Sequence, residues 1–147
     1  MPLLTHDRLG GAAGIAFLGG VLVQNGLLLQ GNPLPSAPLE DVLAFYRDRS
    51  APIGVAVGWV ALNVPLLLVF GSAAARRLAV DDTARLFADA GRSAITLLAA
   101  AFSCTTWLQA VLAARADALQ AAGQLALVWD LHTAAFTASA IALAAAM

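Results

Sequence analysis

Asp130 and His132 stand two residues apart within the apolar run Gly123–Met147, where a segment long enough to cross a bilayer ordinarily holds neither an acid nor an imidazole. A carboxylate and an imidazole withdrawn from water are groups that relay protons or hold a cation. Left unpaired near the bilayer centre, the carboxylate costs about 2.5–3.5 kcal/mol on insertion scales, so it must be protonated, paired, or beside a water-filled cavity. No arginine falls inside an apolar run, which leaves Gln24, Asn63, Thr105, Thr106 and Gln109, or the histidine of another chain, as partners for Asp130. Residues two apart point to different sides of a helix, so Asp130 and His132 touch different neighbours and do not form a catalytic dyad.

The elements that must position these groups are four long apolar runs, at about 9–30, 52–75, 93–114 and 123–147. About twenty such residues cross a hydrocarbon layer roughly 30 Å thick. The expectation is an all-α polytopic membrane protein, a single domain over residues 1–147 built as a four-helix transmembrane bundle. The first run outlasts the 7–15 apolar residues of a secretory signal and ends in Gln30-Gly31-Asn32-Pro33. Pro52 suits the first turn of the second span, while Pro65 removes one backbone hydrogen bond, to the carbonyl of Ala61, and predicts a kink near mid-membrane. Asp81-Asp82-Thr83 offers an N-cap and Arg85 with Asp89 an i,i+4 pair, so the third helix is expected to begin in water. The segment Arg115 to Ala122 reads as a short turn making spans three and four an antiparallel hairpin. No polar tail follows the fourth run, so a longer protein of which this is a part is one expectation. In the first loop, Leu39, Val42, Leu43 and Tyr46 recur at helical spacing and predict a short amphipathic helix over about 38–48, anchored at the interface by Phe45 and Tyr46. Its role is either to hold the loop down or to cover an opening between the spans.

Counting 1.5 Å of rise per residue from these boundaries sets polar groups of all four spans at one level of the outer half: Gln24, Asn25, Asn63, Thr105, Thr106, Gln109, Asp130, His132 and Thr133. At about 100° per residue, His132, Phe136, Trp129, Thr133, Thr137 and Asp130 form one arc of the fourth helix, with Asp130 and His132 at its edges. Leu127, Leu131, Ala134 and Ala138 lie opposite. The polar arc is expected to face the bundle and the other to face lipid. The candidate ligand-binding residues are therefore Asp130, His132, Trp129, Thr133, Asn63, Gln24, Asn25, Thr106 and Gln109. The plainer role for the amides and hydroxyls is interhelical glue, worth about 0.6 kcal/mol each.

Composition narrows the function classes. With 61% hydrophobic and 12% charged residues and a mean hydropathy of +0.81, the chain falls well short of the about 25% charged residues of soluble domains. A net charge of -1 without a basic cluster argues against nucleic-acid binding. Cys104 stands alone and can form neither an intrachain disulfide nor a thiolate metal site. No phosphate-binding loop, HExxH or GxSxG motif is present, and His6 and His132 fall at opposite depths, which rules out a haem held between them in one chain. No catalytic residue, metal or cofactor is assigned. Arg8, Arg76, Arg77, Arg85 and Arg92 fall on one side of the spans and Arg47, Arg49 and Arg115 on the other, which places both termini in the cytoplasm.

Gly10-x-x-x-Gly14 and Gly54-x-x-x-Gly58 permit close helix approach, within this chain or between chains. The string Gly31-Asn32-Pro33 followed by Asp41-Val42-Leu43-Ala44-Phe45-Tyr46-Arg47 resembles a pattern in small uncharacterised multi-pass membrane proteins of GC-rich bacteria, where it also joins the first two spans. The resemblance implies a bacterial membrane protein and brings no activity with it. Two functions follow as expectations. The first is a cytoplasmic-membrane protein that binds or conducts a small amphiphilic ligand, cation or proton through an outer-half polar pocket centred on Asp130. The alternative is a non-catalytic subunit, homo-oligomeric or joined to other membrane subunits through small-residue helix faces. An intramembrane enzyme would need a nucleophile or metal beside Asp130 and His132, and their separation around the helix makes it the least supported reading.

Overall fold

Long apolar runs leave the backbone no choice in lipid but to satisfy its own hydrogen bonds as helix. The computed structural model describes residues 6–28 and 31–146, and within them the chain forms five helices: α1 (His6–Leu28), α2 (Leu39–Asp48), α3 (Ser50–Leu78), α4 (Asp82–Ala121) and α5 (Leu125–Ala146). Four of them, α1, α3, α4 and α5, are long and apolar enough to cross a membrane. The protein is all-α, a multi-pass arrangement with the ten-residue α2 between the first two crossings.

The spans pack in a row. α1 packs on α3, α3 on α4 and α4 on α5, while among the described residues α1 meets neither α4 nor α5, and α3 does not meet α5. Each span accordingly buries only 22–28% of its most apolar stretch. α2 lies across one end of the spans, touching α3, α4 and α5. There Val42 and Tyr46 of α2, Ile53 of α3, Leu112 and Ala116 of α4, and Leu125 and Trp129 of α5 form one hydrophobic cluster. Of the predicted apolar face of α2, Val42 and Tyr46 are buried and Leu43 half-buried, while Leu39 remains exposed. Tyr46 is thus a core residue and not a surface anchor.

Glycine sets the α1–α3 seam. A Cβ on Gly10 would lie 2.3 Å from Ala73 Cβ, one on Gly14 2.7 Å from the Phe70 ring, and one on Gly20 2.0 Å from Asn63 Oδ1. Gly11, Gly19, Gly26, Gly54 and Gly58 have nothing within 4 Å. Of the two GxxxG segments, only Gly10-x-x-x-Gly14 makes close contact among the described residues.

The helix ends depart from the sequence reading in two places. Asp81 caps α4 as expected, accepting from the Ala84 amide at 2.8 Å, but Arg85 pairs with Asp82 at 3.2 Å and Asp89 with Arg92 at 2.6 Å. Each acid precedes its arginine by three residues, the order that a helix dipole favours. The expected turn Arg115–Ala122 is a kink at Arg115 (φ -138, ψ 17) followed by more helix. The chain reverses instead at Gly123, whose φ of 67 and the bonds Gly123 N–H to Gln120 O and Gln124 N–H to Leu119 O make a Schellman stop. α3 continues through Pro65, and both Pro65 and Ala61, whose carbonyl loses its donor there, line a groove between α3 and α4.

Candidate functional site

A span with one neighbour buries one narrow stripe. On α5 that stripe is Leu125, Trp129, His132 and Ser139, with Thr133 half-buried beside it. On α1 it includes Ala13 and Gln24. The expected depth set divides accordingly. Gln24 (3% exposed) and Asn63 (1%) meet across the α1–α3 seam, where Asn63 Nδ2 donates to Gln24 Oε1 at 3.3 Å. Thr105, Thr106 and Gln109 are buried on α4, and Trp129 and His132 on α5. Asp130 and Asn25 are exposed. The expected inward orientation of Asp130 is therefore corrected, and Phe136 and Thr137 turn outward with it. An arc wide enough to bury Asp130 together with His132 requires neighbours on two sides of α5, whereas α4 is its sole neighbouring span. About 100° of rotation separates Asp130 from Trp129, and Asn25 from Gln24. The outward positions of Leu127, Leu131, Ala134 and Ala138 are as expected.

Hydrogen bonding sorts the buried groups further. Thr105 donates to Ala101 O at 3.0 Å and Thr106 to Phe102 O at 2.8 Å, each one turn back along α4. Their hydroxyls are spent on their own helix. Trp129 donates from Nε1 to Pro35 O at 3.4 Å, fastening the first loop over the N-terminal end of α5. Three groups remain. His132 is 4% exposed, and neither Nδ1 nor Nε2 has a partner; the hydroxyl of Tyr46 (1% exposed) and Oδ1 of Asn63 are likewise unpaired among the described residues. Buried polar atoms are nearly always satisfied, and leaving one unpaired costs about 1–3 kcal/mol.

Two of these three belong to one aromatic ladder. Phe45 meets Tyr46 edge-on at 5.2 Å, Tyr46 meets Trp129 at 6.3 Å, and Trp129 stacks on His132 at 5.1 Å with an interplanar angle of 16°. The ladder leads from the surface helix inward, beneath the Pro33–Pro38 loop. Gln109 lies one turn from Leu112, and His132 one turn from Trp129, each on the side away from α2 and on faces that share the hydrophobic cluster. α2 itself is pinned by Arg47 to Asp117 of α4, while Arg49 donates to Leu27 O at 2.9 Å and lies 5.6 Å from the Phe45 ring centre. Among the described residues no group of three His, Cys, Asp or Glu side chains is placed to hold a metal ion. The sequence reading missed Tyr46 as part of this cluster. The signal was its position on the apolar face of α2, four residues after Val42.

Tyr46 is the only tyrosine, and burial raises its phenol above the ordinary value of 10.0. Burial disfavours the phenolate, so the folded protein keeps a proton that the unfolded chain releases near pH 10. Stability from this group is complete below that pH and falls as pH rises beyond it. An ultraviolet titration is expected to show no phenolate until the protein unfolds; ionisation near 10 with the fold intact would show that the hydroxyl reaches water.

Comparison with family models, with curated proteins and with solved structures gives no match to this chain.

Proposed function

We propose that the protein is a ligand-binding protein of a bacterial cytoplasmic membrane, both termini inside, whose site lies under α2 and the first loop and is centred on His132. The carrying observation is the imidazole itself: nine-tenths buried, stacked on Trp129, with both nitrogens unpaired. A neutral imidazole offers one donor and one acceptor, and the Tyr46 hydroxyl offers both. The outward turn of Asp130 leaves no carboxylate in this cluster, which favours a small neutral amphiphile with hydrogen-bonding groups over a cation. Gln24 and Asn63, paired with each other one interface away, act as glue. The test is native mass spectrometry of the protein released from lipid nanodiscs. The reading expects a retained small molecule in the wild type and its loss in His132→Leu; retention by both, or none in the wild type, would remove the proposal.

A second reading, that the chain is a subunit of a larger membrane assembly, is favoured by the row itself. Among the described residues α1 and α5 each have a single neighbouring span, and a Cβ on Gly11, Gly19 or Gly26 of α1 would meet nothing within 4 Å.

A further inference from the structure

Two exposed polar residues sit on opposite edges of the row, and helix registers put them at one depth. In the α1–α3 seam Gly10 lies against Ala73, and Gly20 against Asn63, so equal steps along the antiparallel pair bring Asn25 level with Gly58. Gly58 is five residues inward of Ile53, and Asp130 is five residues inward of Leu125; Ile53 and Leu125 belong to the same outer cluster. At 1.5 Å of rise, the level of Asn25 is about 7–8 Å inward of Ile53, and Asp130 is the same distance inward of Leu125, one residue past Trp129, the innermost α5 member of that cluster. Arg115 and Asp117, exposed beside the cluster residue Ala116, mark the polar level above them.

We propose that copies of this chain associate edge to edge, α5 of one against α1 of the next, with the Asp130 carboxylate accepting from the Asn25 side-chain amide of the neighbour. This rests on the assembly reading above. Copies inserted the same way are related by an axis along the membrane normal, which keeps every residue at its own depth. An α5–α5 contact would then oppose two Asp130 carboxylates, and an α1–α1 contact would leave both facing lipid. The α5–α1 contact alone gives the acid a donor. It also continues the alternation of the row, since each neighbouring pair of spans is antiparallel. The surfaces suit close approach: α1 presents Gly11, Ile15, Gly19, Leu22 and Gly26 opposite its α3 face, flanked by Asn25, and α5 presents Asp130, Ala134 and Ala138. Such a head-to-tail contact closes into a ring or runs on as a filament.

The experiment uses the full chain with Cys104→Ser, because Cys104 is exposed, carrying Asn25→Cys or Asp130→Cys, in nanodiscs under mild oxidation or a short bis-maleimide. Expected are no dimer from either variant alone, a dimer when the two are reconstituted together, and a ladder from the double variant. Gly19→Leu, at a position where a Cβ meets nothing within 4 Å among the described residues, should lower the mixed yield by about tenfold, as a modest overpacking penalty would. Dimers from Asp130→Cys alone would overturn the proposal in favour of α5–α5 contact. An oligomeric particle without mixed cross-links would remove this interface and leave assembly standing. A strictly monomeric particle would remove both and leave Asp130 facing lipid.

Discussion

His132→Leu is expected to stabilise the delipidated protein by about 1–3 kcal/mol, although it deletes a polar side chain from the most buried stripe of α5. The imidazole is out of water with both nitrogens unpaired, so the folded state bears a desolvation cost that leucine, of similar volume, does not. The sign reverses in the loaded protein. A ligand that binds only the folded state adds RT ln(1 + [L]/Kd), about 2.7 kcal/mol at a hundredfold excess over Kd, and the variant forfeits that gain. Thermal or steric-trapping unfolding before and after extraction of small amphiphiles reads both signs. A variant that is less stable in both states would mean that the imidazole makes a structural bond and holds nothing.

Gly10→Leu is expected to detach α1, with a loss of about 1–3 kcal/mol or more from overpacking, while Gly11→Leu stays within about 0.5 kcal/mol of wild type. The contrast lies in neighbours one residue apart. A Cβ at Gly10 would sit 2.3 Å from Ala73 Cβ, a methyl that can yield only if the backbone moves, whereas Gly11 faces open space. α1 has no other span to lean on, so whatever separates it from α3 frees it altogether and breaks the Gln24–Asn63 bond as well. Limited proteolysis and unfolding of the two variants in one detergent would check this. Equal effects would show that the α1–α3 register is set by something other than the glycine face.

The span count, the surface helix and the Asp81 cap are legible in the sequence because each depends on local composition and periodicity. The row is not. Hydropathy records that a helix prefers lipid to water, and says nothing of how many helices it touches; an inward Asp130 needs neighbours on two sides of α5, and among the described residues α4 is the one neighbouring span. The burial of His132 and Trp129 is legible because they lie at the centre of the stripe that α5 buries among the described residues. The Gln24–Asn63 pair could be anticipated as polar groups near one depth but not as partners, since the α1–α3 register is written in which glycine meets which side chain. Arg115 hid a kink rather than a turn because Ala116–Ala121 is itself good helix-forming sequence, and the left-handed Gly123 is what ends it.

The most direct test of the central claim, that the buried imidazole is kept for a hydrogen-bonding ligand, is the nitrogen-15 spectrum of His132 in lipid nanodiscs, with His6→Gln leaving a single imidazole. The account predicts unbonded nitrogen shifts after extraction of small amphiphiles and a change at one or both nitrogens when the extract is returned. Identical spectra before extraction, after it and on reloading would contradict it.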